Sequence, residues 1–229
     1  MAENQKSMIK FIMAKKIAII GYGSQGRAQA LNLRDSGVIP IIGLPASSKS
    51  RKIAKKDGFR ILTPQKAIGI ADIAVILAPD HKHQILFDNL KSPGILAGKA
   101  LIFAHGFSVT FKTIKPPREC DIILIAPHGP GLKLRDKYLT NEPFTAFVGI
   151  KQDYSGQALK IARAYAACIG IPAKYLFKSS FEDEAIGDIF GEQAVLCGGL
   201  VGLMESGFET LVRKGLSPEK LAENLGESA

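Results

Sequence analysis

Short, unbroken apolar runs punctuate the chain up to residue 151: Lys16–Ile20, Val38–Leu44, Ile73–Ala78, Ala100–Ala104, Asp121–Ala126 and Phe144–Ile150. They do not alternate apolar with polar positions. Continuous Ile/Val/Leu-rich runs of this length suit strands buried on both faces of a parallel sheet. Helical stretches lie between them. Ser24–Asp35 reads as a helix closed by Gly37, and Ser50–Asp57 as a basic helix. Strand–helix alternation with right-handed crossovers predicts a doubly wound parallel sheet over residues 14–151.

The character changes after Asp153. Tyr154–Ile169 reads as an alanine-rich helix, and Ala173–Phe177 as one more strand. Phe181–Lys214 is helix-compatible almost throughout, yet glycines interrupt it at 187, 191, 198, 199, 202 and 207. Each glycine weakens a helix by roughly 1 kcal/mol, so the series points to close helix packing or approach to a ligand. Ser217-Pro218-Glu219 opens a further helix, with an N-cap residue followed by proline in the first turn. The expected organisation is a leader over 1–14, a sheet domain over 15–178 and a short all-helical segment over 179–229.

Composition narrows the function classes. With 46% hydrophobic and 22% charged residues, the chain is ordinary for a soluble protein with a core. No unbroken apolar run reaches the roughly 18 residues of a spanning helix, so no membrane partner is expected. Met1–Ala14 carries only Lys6 and Lys10 as bases and no clear cleavage site, and reads as a leader, not a signal peptide. The net charge of +9 raises nucleic acid as a partner. The bases are scattered, however, and no stretch interleaves them with stacking aromatics, so none is expected. One local excess stands out: Lys49, Arg51, Lys52, Lys55, Lys56 and Arg60. Cys120, Cys168 and Cys197 stand far apart, in neither a zinc spacing nor a disulfide framework, which suits a reducing cytoplasm.

Gly21-Tyr22-Gly23-Ser24-Gln25-Gly26 is a G-x-G-x-x-G run between the first strand and the first helix. Its glycines permit a tight turn and close backbone approach, and the helix N-terminus offers free N–H groups to a pyrophosphate. In this context the sheet is Rossmann-type and the ligand a nicotinamide dinucleotide. An NAD site places a carboxylate some 20 residues on, at the end of the second strand. Here Ile41–Pro45 has none, and the first acid is Asp57. Ser47, Ser48, Lys49, Ser50, Arg51 and Lys52 follow instead, and hydroxyls with cations suit a 2′-phosphate. NADPH is therefore the expected cofactor. Candidate contacts are Gly21, Tyr22, Gly23, Ser24, Gln25, Gly26, Ser48, Ser50 and Arg51, with Pro79, Asp80 and Gly131 at later strand ends.

Glu184, Asp188 and Glu192 recur every four residues and would share one helix face. The spacing suits a solvated acidic face as well as a Mg²⁺ site built from oxygens. The apolar, glycine-rich surroundings weigh toward the second. Glu205 and Glu209 read as surface residues. His105 and His128 each follow a predicted strand at its carboxyl end, where open α/β sheets place ligands. They are the candidate catalytic residues. His81 and His83 are expected to border the cofactor cleft.

These segments together resemble ketol-acid reductoisomerase, also called acetohydroxy acid isomeroreductase. The matching pieces are Gly21–Gly26 with Ala30-Leu31-Asn32-Leu33-Arg34-Asp35-Ser36-Gly37, Phe103-Ala104-His105-Gly106-Phe107, Ala126-Pro127-x-Gly129-Pro130-Gly131, Asp188-x-Phe190-Gly191-Glu192 continuing to Gly199, Gly207–Val212, and Ser217-Pro218-Glu219. The resemblance implies conversion of 2-acetolactate, a 2-hydroxy-3-keto acid, by Mg²⁺-dependent alkyl migration and NADPH reduction to 2,3-dihydroxy-isovalerate, in branched-chain amino-acid synthesis. It implies Asp188 and Glu192 as metal ligands, Glu184 as a nearby outer carboxylate, His105 as an active-site polar group, and Ser48 and Ser50 on the 2′-phosphate.

The chain departs from the family pattern in two places. His128 stands where the family has lysine, replacing a fixed cation with an imidazole of ordinary pKa about 6.5. Family members also continue into a larger helical domain of knotted type, with two further glutamates and a substrate-binding serine. Glu223 and Glu227 have the spacing of those glutamates only if one residue is deleted after Glu219; otherwise Asn224 and Ser228 occupy the places. These departures keep an alternative in view: a truncated paralogue that binds NADPH but acts as a simple ketoacid reductase or a non-catalytic module. Apolar surface from Ala194 to Val212 predicts a homodimer or higher oligomer.

Overall fold

The computed structural model describes residues 2–90 and 94–227, and the side chains of 7–90 and 94–223. The chain divides into two compact units, Met1–Glu184 and Ala185–Ala229. In the first, helix α1 (Ala2–Met13) leads into β1 (Ile17–Ile20), α2 (Ser24–Asp35), β2 (Ile41–Gly43), α3 (Ser50–Lys56), β3 (Ile61–Leu62), α4 (Pro64–Ile70) and β4 (Ile73–Ile76). A 3₁₀ turn (Asp80–Lys82), α5 (His83–Asp88), β5 (Ala100–Phe103), α6 (Phe107–Thr110), β6 (Asp121–Pro127), α7 (Gly131–Leu139), β7 (Ala146–Gln152) and α8 (Ala158–Cys168) follow. A second 3₁₀ turn (Ala173–Tyr175), β8 (Leu176–Lys178) and the start of α9 (Phe181–Ile189) complete the unit.

The strands form one sheet in the order β3-β2-β1-β4-β5-β6-β7-β8. This is the expected Rossmann-type doubly wound sheet from β3 to β6, all in parallel pairs. The Phe144–Ile150 run is the exception, because β7 is antiparallel to β6, pairing Pro127 with Ala146. Strand β8 then pairs parallel with β7. The cause lies in α7, which packs on α2 and does not carry the chain back across the sheet. Asn141, with φ of 54°, helps turn the chain, and the His128 N–H donates to the Thr145 carbonyl at 3.0 Å. β7 therefore starts at the end of the sheet where β6 stops. Unbroken apolar sequence reports burial on both faces; it carries no direction.

Burial on both faces is visible in the core. Ile17, Ile19, Val75, Ile102 and Ile123 join one cluster with Leu33, Ile161 and Tyr165, while Ala18, Ile20, Ile76, Leu101 and Leu124 join the other with Ile68 and Leu86. Alternate residues of each strand thus feed opposite layers. The residues read as a leader form α1, whose Ile12 is fully buried and whose Met8, Ile9 and Phe11 pack against the first cluster. The Lys160 ammonium of α8 stands 4.2 Å from the Phe11 ring centre, a cation–π contact.

In the second unit, α9 passes into a π-helical stretch (Phe190–Gly199), then α10 (Leu200–Arg213) and α11 (Pro218–Glu227). Two glycines of the series have a local use. An added Cβ at Gly198 or Gly199 would stand 2.7 Å from the carbonyl oxygens of Gln193 and Ala194, five residues back along the same helix. Those glycines allow the wide π turn, whereas Cβ positions at Gly187, Gly191, Gly202 and Gly207 meet nothing within 4 Å. The run Phe181–Arg213, 33 residues, is long and apolar enough to cross a membrane by length and composition alone. The count of unbroken apolar residues missed it because isolated acids interrupt the run.

Candidate functional site

Strand β1 ends in the glycine-rich turn. Gly21 has φ of +108°, and an added Cβ would lie 2.5 Å from the Leu77 carbonyl oxygen. Gly26 is pressed against the Gly21 carbonyl in the same way, at 2.5 Å. Gly23 caps α2 with no side-chain hydrogen bond, and space around its missing Cβ is open. The first amides of α2 therefore face an open cradle, as an anion requires. A cleft of about 630 Å³ runs from this turn, lined by Gly21, Tyr22, Gly23, Leu44, Ser48, Ser50, Ala78 and Pro79. Thr63, Pro64, Gln65, Lys82, Ile85, Leu86 and Asn89 also line it and escaped the sequence reading. They follow β3 and the turn after β4, where no motif marks a contact. Among the described lining residues there is no carboxylate.

Asp57, the first acid after β2, is committed elsewhere. Its carboxylate accepts from the Tyr22 hydroxyl at 2.9 Å and from the Arg27 guanidinium at 2.7 and 3.1 Å. The Arg27 bonds hold the Asp57 carboxyl below the usual range, and burial followed by the Asp57 bond pushes the Tyr22 hydroxyl up. Tyr22 thus turns its side chain into the fold and locks the turn. Arg51 donates to the Leu44 carbonyl at 2.9 Å, bracing the loop after β2, and does not line the cleft.

Gln25 belongs to a directed chain of hydrogen bonds. The Tyr165 hydroxyl donates to Gln29 Oε1 at 2.7 Å, Gln29 Nε2 to Gln25 Oε1 at 2.9 Å, and Gln25 Nε2 to the Gly129 carbonyl at 2.7 Å. A carbonyl only accepts, so Gly129 sets the polarity of every link. At Gly131 an added Cβ would stand 2.1 Å from the Ser24 carbonyl oxygen, so only glycine lets α7 approach the turn. Tyr165 and Gln29 are both buried. Tyr165→Phe is expected to lose about 1–3 kcal/mol in urea unfolding, because Gln29 Oε1 is left without its donor. An unchanged midpoint would refute the chain.

The turns after β4 and β5 meet through their histidines. His105 Nδ1 lies 2.9 Å from Asp80 Oδ2. His83 Nδ1 lies 2.7 Å from Ser108 Oγ, and its Nε2 2.8 Å from the Ala78 carbonyl. Glu184 is buried, and its Oε2 accepts from the Gly106 N–H at 2.5 Å. Only glycine fits there, since a Cβ at 106 would stand 2.1 Å from the Phe181 carbonyl oxygen. The sequence placed Asp80 among the dinucleotide contacts; the structure sets its carboxylate on His105 and lines the cleft with Pro79 and Lys82. His83 is a buried strut between the two turns.

Burial lowers the His83 pKa, so the unfolded chain takes up this proton first as pH falls. Its stabilisation is complete above about pH 6.5 and declines below it toward the lowered folded value, by at most about 1.4 kcal/mol per pH unit. His83→Gln should flatten that part of a urea-midpoint series against pH; an identical slope would exclude His83 as its source. His128 follows β6, 3.0 Å from Thr145 Oγ1 and edge-on to Phe147 at a ring separation of 4.2 Å. Burial lowers its pKa as well. An imidazole so lowered is mostly neutral near pH 7.

Within Ala185–Ala229, Asp188 stands near the end of α9 and Glu192 in the π stretch, both exposed. Glu223 is exposed on α11, and the side chain of Glu227 lies outside the described residues. Among the described residues no group of three or more His, Cys, Asp or Glu side chains is placed to hold a metal ion. Asp188 and Glu192 offer a carboxylate pair, and Mg²⁺ is commonly held by one or two carboxylates with water and substrate oxygens completing its shell.

Comparison with known proteins places this architecture. Residues 11–174 match the family model described as acetohydroxy acid isomeroreductase, NADPH-binding domain, and residues 181–228 match ketol-acid reductoisomerase, C-terminal domain. Ketol-acid reductoisomerases (NADP(+)) of Kineococcus radiotolerans and Saccharopolyspora erythraea are each 45% identical over 208 residues, 91% of this chain. The chain spans 61% and 63% of their respective lengths, about three fifths of the curated relatives it matches. Among solved structures, an NADH-preferring ketol-acid reductoisomerase from an uncultured archean superposes with a TM-score of 0.84 at 41% identity, covering 94% of this chain and 67% of that one. A semialdehyde dehydrogenase NAD-binding protein from Cupriavidus necator shares the fold alone, at TM-score 0.72 and 16% identity over 93% of this chain and 80% of that one. With its glycine-rich turn, its His105 and His128 loops and its acidic π-helical segment all inside the matched regions, the chain belongs to the ketol-acid reductoisomerase family.

Proposed function

We propose that this chain binds NADPH and contributes to the NADPH- and Mg²⁺-dependent conversion of 2-acetolactate to 2,3-dihydroxy-isovalerate. The observation that carries the cofactor is the cleft at the uncapped start of α2, lined by Ser48 and Ser50 and by no described carboxylate. The diphosphate would rest on the α2 amides. The 2′-phosphate would accept from Ser48 and Ser50, with the cations of α3 nearby. Asp57, held by Arg27 and Tyr22, is not positioned to grip a ribose in NAD fashion.

Asp188 and Glu192 would hold Mg²⁺. When bound, the ion supplies Lewis acidity toward carbonyl and hydroxyl oxygens, the chemistry an alkyl shift needs. His105 would exchange a hydrogen bond or proton with the reacting oxygens. His128, neutral near pH 7, would accept or donate a hydrogen bond there without fixed charge. The protein is read as a cytoplasmic enzyme of a 2-hydroxy-3-keto acid, assembled as a dimer or higher oligomer, without membrane or nucleic acid. The exposed apolar side chains Phe190, Leu196 and Leu203 support association. The family match over 181–228 supports a helical domain, not a span.

Calorimetric titration tests the cofactor. Ser48→Ala/Ser50→Ala should weaken NADPH binding about tenfold or more and leave NADH unchanged, since each charge-assisted hydrogen bond is worth roughly 1.5–3 kcal/mol. Equal loss for both coenzymes would remove the 2′-phosphate assignment. Turnover of 2-acetolactate supports the full reaction. Turnover only of the already migrated 3-hydroxy-2-keto acid would reduce the chain to a simple reductase.

A further inference from the structure

We infer that Asp80 is a positioning residue that holds His105 in the tautomer carrying its proton on Nδ1. The inference rests on His105 belonging to the reacting site, as read above. It begins from the 2.9 Å contact between Asp80 Oδ2 and His105 Nδ1. An ionised carboxylate accepts hydrogen bonds and donates none. When neutral, the His105 ring therefore places its N–H on Nδ1 and its lone pair on Nε2. Such a ring offers Nε2 as a base or acceptor, never as a donor.

A second imidazole, His83, also approaches Asp80, with its Nδ1 3.5 Å from Asp80 Oδ1. Its own partners exclude that role. His83 Nε2 faces the Ala78 carbonyl at 2.8 Å, and a carbonyl only accepts, so the proton is on Nε2. Burial keeps the ring neutral. Its Nδ1 is then an acceptor, and it takes the Ser108 hydroxyl proton at 2.7 Å. Between these two imidazoles, only His105 has an N–H to give Asp80. The two histidines cross the gap between the β4 and β5 turns in opposite senses, and the pairing leaves each with a single tautomer.

The backbone keeps Asp80 in place. Pro79 fixes an extended entry with φ of −58°, and the Lys82 N–H closes the 3₁₀ turn on the Pro79 carbonyl at 2.8 Å. On the other side, Gly106 is tied to the buried Glu184. His105 is thus gripped from both flanks, with its ring orientation set by Asp80. A carboxylate can orient an imidazole and select its tautomer without touching substrate.

The test is imidazole ¹⁵N NMR on the full chain near pH 8, where an ordinary histidine is neutral, with His105→Gln identifying the signal. In the unsubstituted chain His105 is expected to show a protonated Nδ1 and an unprotonated Nε2. Asp80→Glu should keep this tautomer, since a carboxylate accepts and does not donate. Asp80→Ala should move most of the population to Nε2–H. The His83 signals, protonated on Nε2 in every variant, report that the turns remain folded. In turnover, Asp80→Ala should fall at least about tenfold below Asp80→Glu with the NADPH dissociation constant unchanged. An unaltered His105 tautomer in Asp80→Ala, or a changed coenzyme affinity in place of changed turnover, overturns the inference. The NMR result stands without turnover, so failure of the proposed reaction is distinguishable from failure of the tautomer assignment.

Discussion

Gly21→Ala is expected to abolish measurable dinucleotide binding and to destabilise the first unit by several kcal/mol. The residue has φ of +108°, and its missing Cβ sits 2.5 Å from the Leu77 carbonyl oxygen and 2.6 Å from the Ala78 nitrogen. These are backbone atoms of the adjacent chain, and the Leu77 N–H is tied to the Ile20 carbonyl at 2.8 Å. Relief requires parting β1 from β4 at the centre of the sheet. Strain and overpacking of this kind cost about 1–3 kcal/mol each, and here they coincide. Gly23→Ala is the matched control. It has φ of −81° and nothing within 4 Å of its Cβ position, so stability should hold within about 0.5 kcal/mol. The added methyl instead enters the space above the α2 amides, and NADPH affinity should fall at least about tenfold. Urea unfolding with a fluorescence titration of NADPH separates the two. A stable, coenzyme-binding Gly21→Ala would show that the turn is misread.

The Gly198→Ala/Gly199→Ala double variant should gain helix stability and weaken the proposed Mg²⁺ site together. Each new Cβ would lie 2.7 Å from a carbonyl oxygen five residues back, which the π geometry cannot accommodate. The way out is to return Phe190–Gly199 to α-helical bonding. Alanine then adds up to about 1 kcal/mol of helix propensity per site. An α-helix advances about 100° per residue, more than a turn closed by i→i+5 bonds, so Glu192 rotates away from its place relative to Asp188. Mg²⁺ affinity measured by calorimetry should drop about tenfold or more, while amide exchange in the segment slows. Unchanged Mg²⁺ binding in a straightened helix would mean that the carboxylate pair does not depend on the π turn.

The sheet and its first turn were legible because each rests on a local signal. Apolar runs such as Ile73–Ala78 mark buried strands, and glycines at 21, 23 and 26 are demanded by contacts under 3 Å or by open space above an amide. Strand β3 was not legible, since Ile61–Leu62 is too short to show a period. The direction of β7 depends on where α7 packs, and no pattern within Phe144–Ile150 encodes that. The site shows the same division. Ser48 and Ser50 were singled out by their type and place, and both line the cleft. Asp80, Gln25 and Glu184 were noticed, but their partners lie 25, 104 and 78 residues away in sequence, so their contacts were invisible to spacing. Helix α1 was read as a leader because a short amphipathic segment shows its partner only when α8 is in place.

The sheet's outermost strands carry a consequence for assembly. β3 presents a two-residue border and β8 a three-residue one. Another backbone laid along either margin could form only a few ladder bonds before running out of template, a common safeguard against fibrous stacking. Multimers of this protein should therefore grow through side-chain burial between helices, and remain discrete particles under conditions where long-edged sheets would polymerise.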